Sequence, residues 1–172
     1  MKHPIINIAD IELQPYPEAS RPTGGAADRF EARMGRFSSQ LGATKLGYNI
    51  TAVPPGKRAF PFHCHHFNEE MFFILQGEGE LRYGEERHRI RAGDVIACPP
   101  GGPERAHQII NTGLLEMRYL SVSTKETPEI CEYPDTGKYA VMAEFQHSED
   151  GSTQGFRIIS KPDMTVGYWD EE

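Results

Sequence analysis

The sequence is poor in cysteine, in positive charge, in helical periodicity and in long apolar runs, and each shortage removes a class of protein. Its three cysteines, Cys64, Cys98 and Cys131, are odd in number and form no CxxC pair. That pattern argues against a disulfide scaffold and a thiolate zinc site, and it leads us to expect a reducing, cytoplasmic setting. Lysine and arginine number 18 against 25 aspartates and glutamates, a formal net charge of −7. A surface of that sign predicts no nucleic-acid partner and no anionic membrane. The one basic run, RHRIR at 87–91, is short and alternates like a strand with a charged outer face. The opening residues, MKHPIINIADIELQPYP, offer neither an apolar segment long enough to span a bilayer nor a small-residue cleavage site.

What the chain does contain is a series of short strand-like runs cut by Gly, Pro and Asn turns. They fall at 44–53, 60–65 and 70–75, then at GELRYG, ERHRIR, VIACP, HQIIN and LLEMRYLSVST. Such a series predicts an all-β sandwich or barrel, and 172 residues suffice for one sizeable core. We place that core at 37–123. Residues 1–36 are expected to be an irregular N-terminal arm, broken by Pro15, Pro17 and Pro22, in which ADRFEARMGRF at 27–37 could form a short helix. Residues 124–172 are expected to be a C-terminal extension packing on the barrel or on a partner subunit. Its KETPEICEYPDTGKY stretch is polar and interrupted by Pro128 and Pro134, EFQHSEDGSTQG at 144–155 reads as exposed loop, and YAVMA, FRIIS and VGYW as edge strands or a cover. Tyr168 and Trp169 are expected to pack over the barrel or across a dimer.

The chemistry concentrates between Gly56 and Gly77, in GKRAFPFHCHHFNEEMFFILQG. On an extended strand His63 and His65 leave the same face, roughly 6–7 Å apart along the chain. Glu70 follows a short polar turn and opens a second strand, which could return antiparallel and bring its carboxylate beside the imidazoles. Surface histidines and an ordinary acid would fit these three residues as well. His107, emerging from the turn-rich PPGGPERA beyond an intervening hairpin, supplies a fourth candidate ligand. Nitrogen and carboxylate donors suit one divalent first-row ion, whether zinc, iron, manganese, nickel or cobalt. Alternation turns Cys64, Phe62 and His66 away from that face, and puts Phe72 and Ile74 on the side of Glu70 with Met71, Phe73 and Leu75 opposite. His3, His88 and His147 sit in polar contexts and are expected at the surface.

Two ordered motifs carry a family likeness. Gly56, His63, His65, Glu70 and Gly77 form the first, and Gly93, Pro99, Gly101, His107 and Asn111 the second. Over about residues 44–123 the chain resembles the cupin superfamily, and specifically small single-domain cupins of the kind labelled sugar-phosphate-isomerase-like. The spacing departs twice, with one extra residue between Gly56 and His63 and three between Gly101 and His107. The resemblance implies a double-stranded β-helix, or jelly-roll, barrel and a metal held by His63, His65, Glu70 and His107, with a position left open for a small-molecule ligand. It supports a metal-dependent isomerase or related enzyme acting on a sugar, sugar phosphate or oxo-acid. The alternative is a binding or sensing domain in which the ion only anchors the ligand. Candidate acid or base groups are Tyr48, Tyr83 and Glu104, and candidate substrate contacts are Arg58, Arg105 and Tyr119. Because both faces of the Glu70 strand are apolar, the outer one needs a cover, for which a homodimer is the preferred expectation.

Overall fold

A computed structural model describes residues 4–146, 153–164 and 166–169; His3 and His147 lie outside the described residues. Among the described residues there is almost no helix, and the chain is built from antiparallel strands in three sheets. The first sheet combines β1 (Gln14–Pro15), β2 (Arg33–Arg36), β3 (Leu46–Val53), β5 (Glu70–Gln76), β8 (Val95–Cys98) and β10 (Met117–Thr124), in the order β1-β2-β3-β10-β5-β8. Between them in sequence come β4 (Cys64–His65), β6 (Glu78–Tyr83), β7 (Glu86–Arg91) and β9 (His107–Ile110). After β10 follow β11 (Glu129–Tyr133), β12 (Lys138–Gln146) and β13 (Thr153–Ser160). β7, β6 and β9 make a second sheet, and β13, β12, β11 and β4 a third. The arrangement is the double-stranded β-helix expected of the jelly-roll reading.

The core follows from strand alternation. Tyr119, Ile74, Phe72 and Ile96 from the six-stranded sheet meet Leu81, Ile90 and Ile109 from the β7-β6-β9 sheet in one buried cluster. In β6, β7 and β10 these are inward members of alternating strands, whereas β9 is buried throughout and the opposite face of β5 is also apolar. Gly56 and Gly77, which bracket the first motif, have φ of 75° and 84°, a region that glycine enters without strain. At Gly77 a side chain would also meet the Met117 backbone at 2.9 Å.

Three expectations need correction. The stretch 27–37 is no helix: Arg33–Arg36 pairs with Ala52 through Asn49, because Met34 can be buried in the sheet and Gly35 admits Ile11 and Leu13 of the arm against its face. β4 and β5 do not pair with each other. β4 pairs with β11, and β5 lies between β10 and β8, so the two motif strands belong to different sheets. Within the proline-interrupted stretch after β10, EICEY is the strand β11, its buried Glu129 and Cys131 alternating with less buried neighbours. Tyr168 and Trp169 pack on each other at 4.7 Å but are 85% and 77% exposed, so they cover no part of the barrel among the described residues.

Asn111, the last residue of the second motif, is fully buried and ties three segments together. Its amide donates to the carbonyls of Val53 and Leu115, both at 2.8 Å, and its oxygen accepts from the Gly113 amide at 3.0 Å. Asn111→Ala would strand these buried groups, so we expect a loss of roughly 2–4 kcal/mol in urea unfolding. A loss under about 0.5 kcal/mol, the scale of an ordinary surface substitution, would contradict this role.

Candidate metal centre

Three imidazoles from two sheets converge on one carboxylate oxygen from a third. The Nε2 atoms of His107, His65 and His63 lie 2.9, 3.3 and 3.7 Å from Oε2 of Glu70. His65 is on β4, His63 is bridged to His107 just before it, His107 begins β9 and Glu70 begins β5. All four side chains are buried or nearly so, from 4% exposed at His107 to 16% at Glu70 and His65. The four candidate ligands are therefore brought together, although Glu70 reaches His63 and His65 from a different sheet and not from an antiparallel return of their own strand.

The other ring nitrogens are occupied by groups that fix each imidazole. Nδ1 of His63 sits 2.8 Å from the Pro61 carbonyl, and Nδ1 of His107 is 3.4 Å from the Arg105 carbonyl. Nδ1 of His65 lies 3.2 Å from the Cys131 thiol and 3.6 Å from Oε2 of Glu129. A partner at Nδ1 fixes each ring and turns its Nε2 toward Glu70, the orientation a metal-bound histidine requires. Metal bonds of about 2.0–2.2 Å place neighbouring ligand atoms roughly 3.0–3.5 Å apart. Oε2 of Glu70 stands at or close to such separations from all three Nε2 atoms, and His63, Glu70 and His107 form a group that could hold a metal ion, while His65 also groups with Glu129 and Cys131.

Glu129 is the functional residue that motif reasoning missed. It is 4% exposed and accepts from the backbone amides of His66, Phe67 and Asn68 at 3.2, 3.4 and 2.8 Å. Asn68 also donates its side-chain amide to Glu129, and its oxygen accepts from Thr124 Oγ1 at 2.9 Å and the Glu126 amide at 2.7 Å. One buried carboxylate thus holds the turn between β4 and β5 and orients His65. Tyr133, two residues beyond Cys131 on the same face of β11, stacks on His63 with ring centroids 6.2 Å apart. The alternation E-x-C-x-Y was the available signal.

The remaining candidates divide cleanly. Tyr119 is inside, beside Phe72, and with Gln108 and Phe60 lines a narrow cavity that reaches His63 and His107. Tyr83 pairs with His107 in register, packs partly against the core and accepts from Arg105 Nη1 at 3.3 Å. Arg105 and Glu104 are exposed in the 103–105 turn, and Glu104 bends back to the Gly102 amide at 3.1 Å. Tyr48 is a correction: it pairs with Val122, which pairs with Met71, so it shares the outer face of the sheet and packs on Phe37 at 5.0 Å. Arg58 is another. Its guanidinium lies 5.8 Å over Phe30, among the charges of Arg29, Arg87 and Asp135, on the barrel's outer side.

At this point comparison is informative. The family model described as Cupin domain matches residues 49–123. Those residues form a cupin domain. An uncharacterized protein of Methanocaldococcus jannaschii is 33% identical over 84 residues, covering 46% of this chain and 64% of the relative. An oxalate-binding protein of Thermotoga maritima is 34% identical over 70 residues, covering 41% of this chain and 54% of that protein. The chain thus matches less than two thirds of the length of either curated relative. A crystal structure of a sugar phosphate isomerase from a cupin superfamily, from Silicibacter pomeroyi, superposes with a TM-score of 0.74 at 21% identity, covering 97% of this chain and 98% of that one. The cupin domain and both of its extensions therefore share a fold with that structure.

Electrostatics inside the cupin domain follow from burial and contact. Burial disfavours the charged form of Glu70, yet hydrogen bonds from His107 and His65 outweigh it and hold the carboxyl well below the usual range. Burial, reinforced by His107, lowers His63 to about 4. At His65 burial is overcome by Cys131, Glu129 and Glu70, and the imidazole is raised to about 12. An incoming ion must displace that proton, whereas His63 offers a free nitrogen down to about pH 4. Chelator-stripped protein should release a proton on zinc uptake, and its affinity should fall about tenfold per unit as the pH is lowered from about 8 to about 6. Zinc titrations in weak buffer read both effects; an affinity independent of pH over that range would contradict the assignment.

Proposed function

We propose that the protein binds one divalent first-row metal through His63, His65, Glu70 and His107 and uses it to hold a small oxygen-chelating ligand, an oxo-acid, sugar or sugar phosphate, for isomerisation. The convergence of three Nε2 atoms on one Glu70 oxygen carries this reading. Four protein donors leave one or two positions of a five- or six-coordinate ion for a ligand. The ion would polarise a carbonyl or carboxylate oxygen there. Phe60, Phe72 and Ile109 line a cavity of only about 10 Å³ beside the site, too small for the ligand itself, so they form an apolar floor that strengthens polar contacts at the ion. The Silicibacter structure is named as a sugar phosphate isomerase and the Thermotoga relative as oxalate-binding, and both names concern small, oxygen-rich molecules.

Proton transfer falls to Tyr83, the one of the three acid or base candidates that pairs with a metal-ligand residue. Arg105 donates to its hydroxyl and keeps it oriented. The binding-only reading gains from Tyr48 facing outward and Glu104 bending back to Gly102. Elemental analysis of protein purified without added metal should find near-stoichiometric first-row metal, lost in His107→Ala. Turnover of aldose and ketose phosphates by wild type, cut about 10²–10⁴-fold in Tyr83→Phe with metal content unchanged, supports the enzyme. Tight binding of oxalate or a sugar phosphate with no turnover selects the binding domain instead.

We also propose a homodimer through the outer face of the six-stranded sheet. Leu120, Phe73 and Val95 form one row across it, beyond the already buried Ile50, and Val95 is 66% exposed. Light scattering at micromolar concentration should give twice the chain mass, and Phe73→Lys should shift it toward the monomer. A wild-type monomer would overturn this.

A further inference from the structure

The strand that presents His63 and His65 inward presents Cys64 and His66 on its other face, and β11 places Glu132 directly across from Cys64. Nε2 of His66 is 3.0 Å from Oε2 of Glu132, and Sγ of Cys64 is 3.9 Å from the same oxygen. The ligand atoms of these three residues all lie within 4.8 Å of one another. We propose a second metal site here, separate from the cupin centre, with Cys64 thiolate, His66 imidazole and Glu132 carboxylate as ligands and zinc as the ion.

The backbone makes this a fixed arrangement. The Cys64 and Glu132 positions are paired in register, and the His66 amide donates to the Ile130 carbonyl at 2.9 Å, so both ends of the ligand set are locked to β11. Cys64 is 1% exposed and packed with Phe62 and Ala106, whereas the His66 and Glu132 side chains are 35% and 38% exposed. The site therefore has a dry floor and an open mouth, a suitable shape for an ion that keeps one water or ligand position. Zn–S bonds near 2.3 Å and Zn–N or Zn–O bonds of about 2.0–2.2 Å put ligand atoms roughly 3.3–3.7 Å apart, between the two distances observed. A thiolate among nitrogen and oxygen donors favours zinc over magnesium, calcium or manganese.

The outer site shares no ligand with the inner one, so the two can be removed independently. Zinc-loaded wild type, dialysed against buffer with a weak chelator, should retain about two ions per chain by elemental analysis. His66→Ala, Glu132→Gln and Cys64→Ser should each retain about one, as should His107→Ala, while His66→Ala with His107→Ala should retain none. Cobalt added to the wild type should give a thiolate-to-metal charge-transfer band in the near ultraviolet. That band should persist in His107→Ala and in Cys131→Ser, and disappear in Cys64→Ser and in the more exposed His66→Ala. Retention of one ion by wild type that His66→Ala leaves unchanged, or a cobalt band that survives Cys64→Ser, would overturn the proposal.

Discussion

The site depends on a single buried carboxylate oxygen, Oε2 of Glu70. An ionised carboxylate taken out of water costs several kcal/mol unless other groups compensate it, and here three imidazoles do so from two other sheets. The same oxygen therefore serves as a structural clasp. Through it the end of β5 is linked to β4, which belongs to another sheet, and to β9, which belongs to a third. A barrel closed at this point holds its donors at fixed separations before any ion arrives, which reduces the ordering that binding must still supply.

The barrel core was legible because alternation is a strict rule in a half-buried strand. Phe72 and Ile74 had to share the face of Glu70, and Tyr119 and Leu81 reach the same interior by the same arithmetic. The four candidate ligands could be picked out for the same reason, as inward residues at motif spacing. Partner choice was not: nothing in FPFHCHH states that β4 will join β11 sixty-odd positions later, since register is set by packing at long range. Tyr48 shows the same limit. Its residue type suited an acid or base, but its register opposite Val122 put it on the outer face. The short helix at 27–37 failed because burial of Met34 in a sheet overrode local preference.

The support of the site lies mostly beyond the stretch that carries the motifs. The cupin domain match ends at residue 123, yet Glu129, Cys131 and Tyr133 stand behind His65 and His63. Glu129 is itself a buried charge, and it is tolerated because three consecutive backbone amides of the 66–68 turn and the Asn68 side chain donate to it. The extension therefore acts on the centre through one strand. That the superposition on the Silicibacter structure spans 97% of this chain accords with the extension being part of the shared architecture, not an appendage.

β4 and β11 together illustrate how much a two-residue period can carry. Glu129, Cys131 and Tyr133 look toward the inner histidines, and Glu132 between them looks outward to Cys64 and His66. Shifting the pairing by one residue would exchange the two faces, sending Glu132 against His65 and leaving the 66–68 amides without their carboxylate. Such a slip would bury one carboxylate without its donors and expose another, so the polar groups on both faces oppose it together. The His66 to Ile130 hydrogen bond and the Glu129 nest are thus one constraint seen from two sides, and it is this constraint that keeps the inner histidines aimed at Glu70.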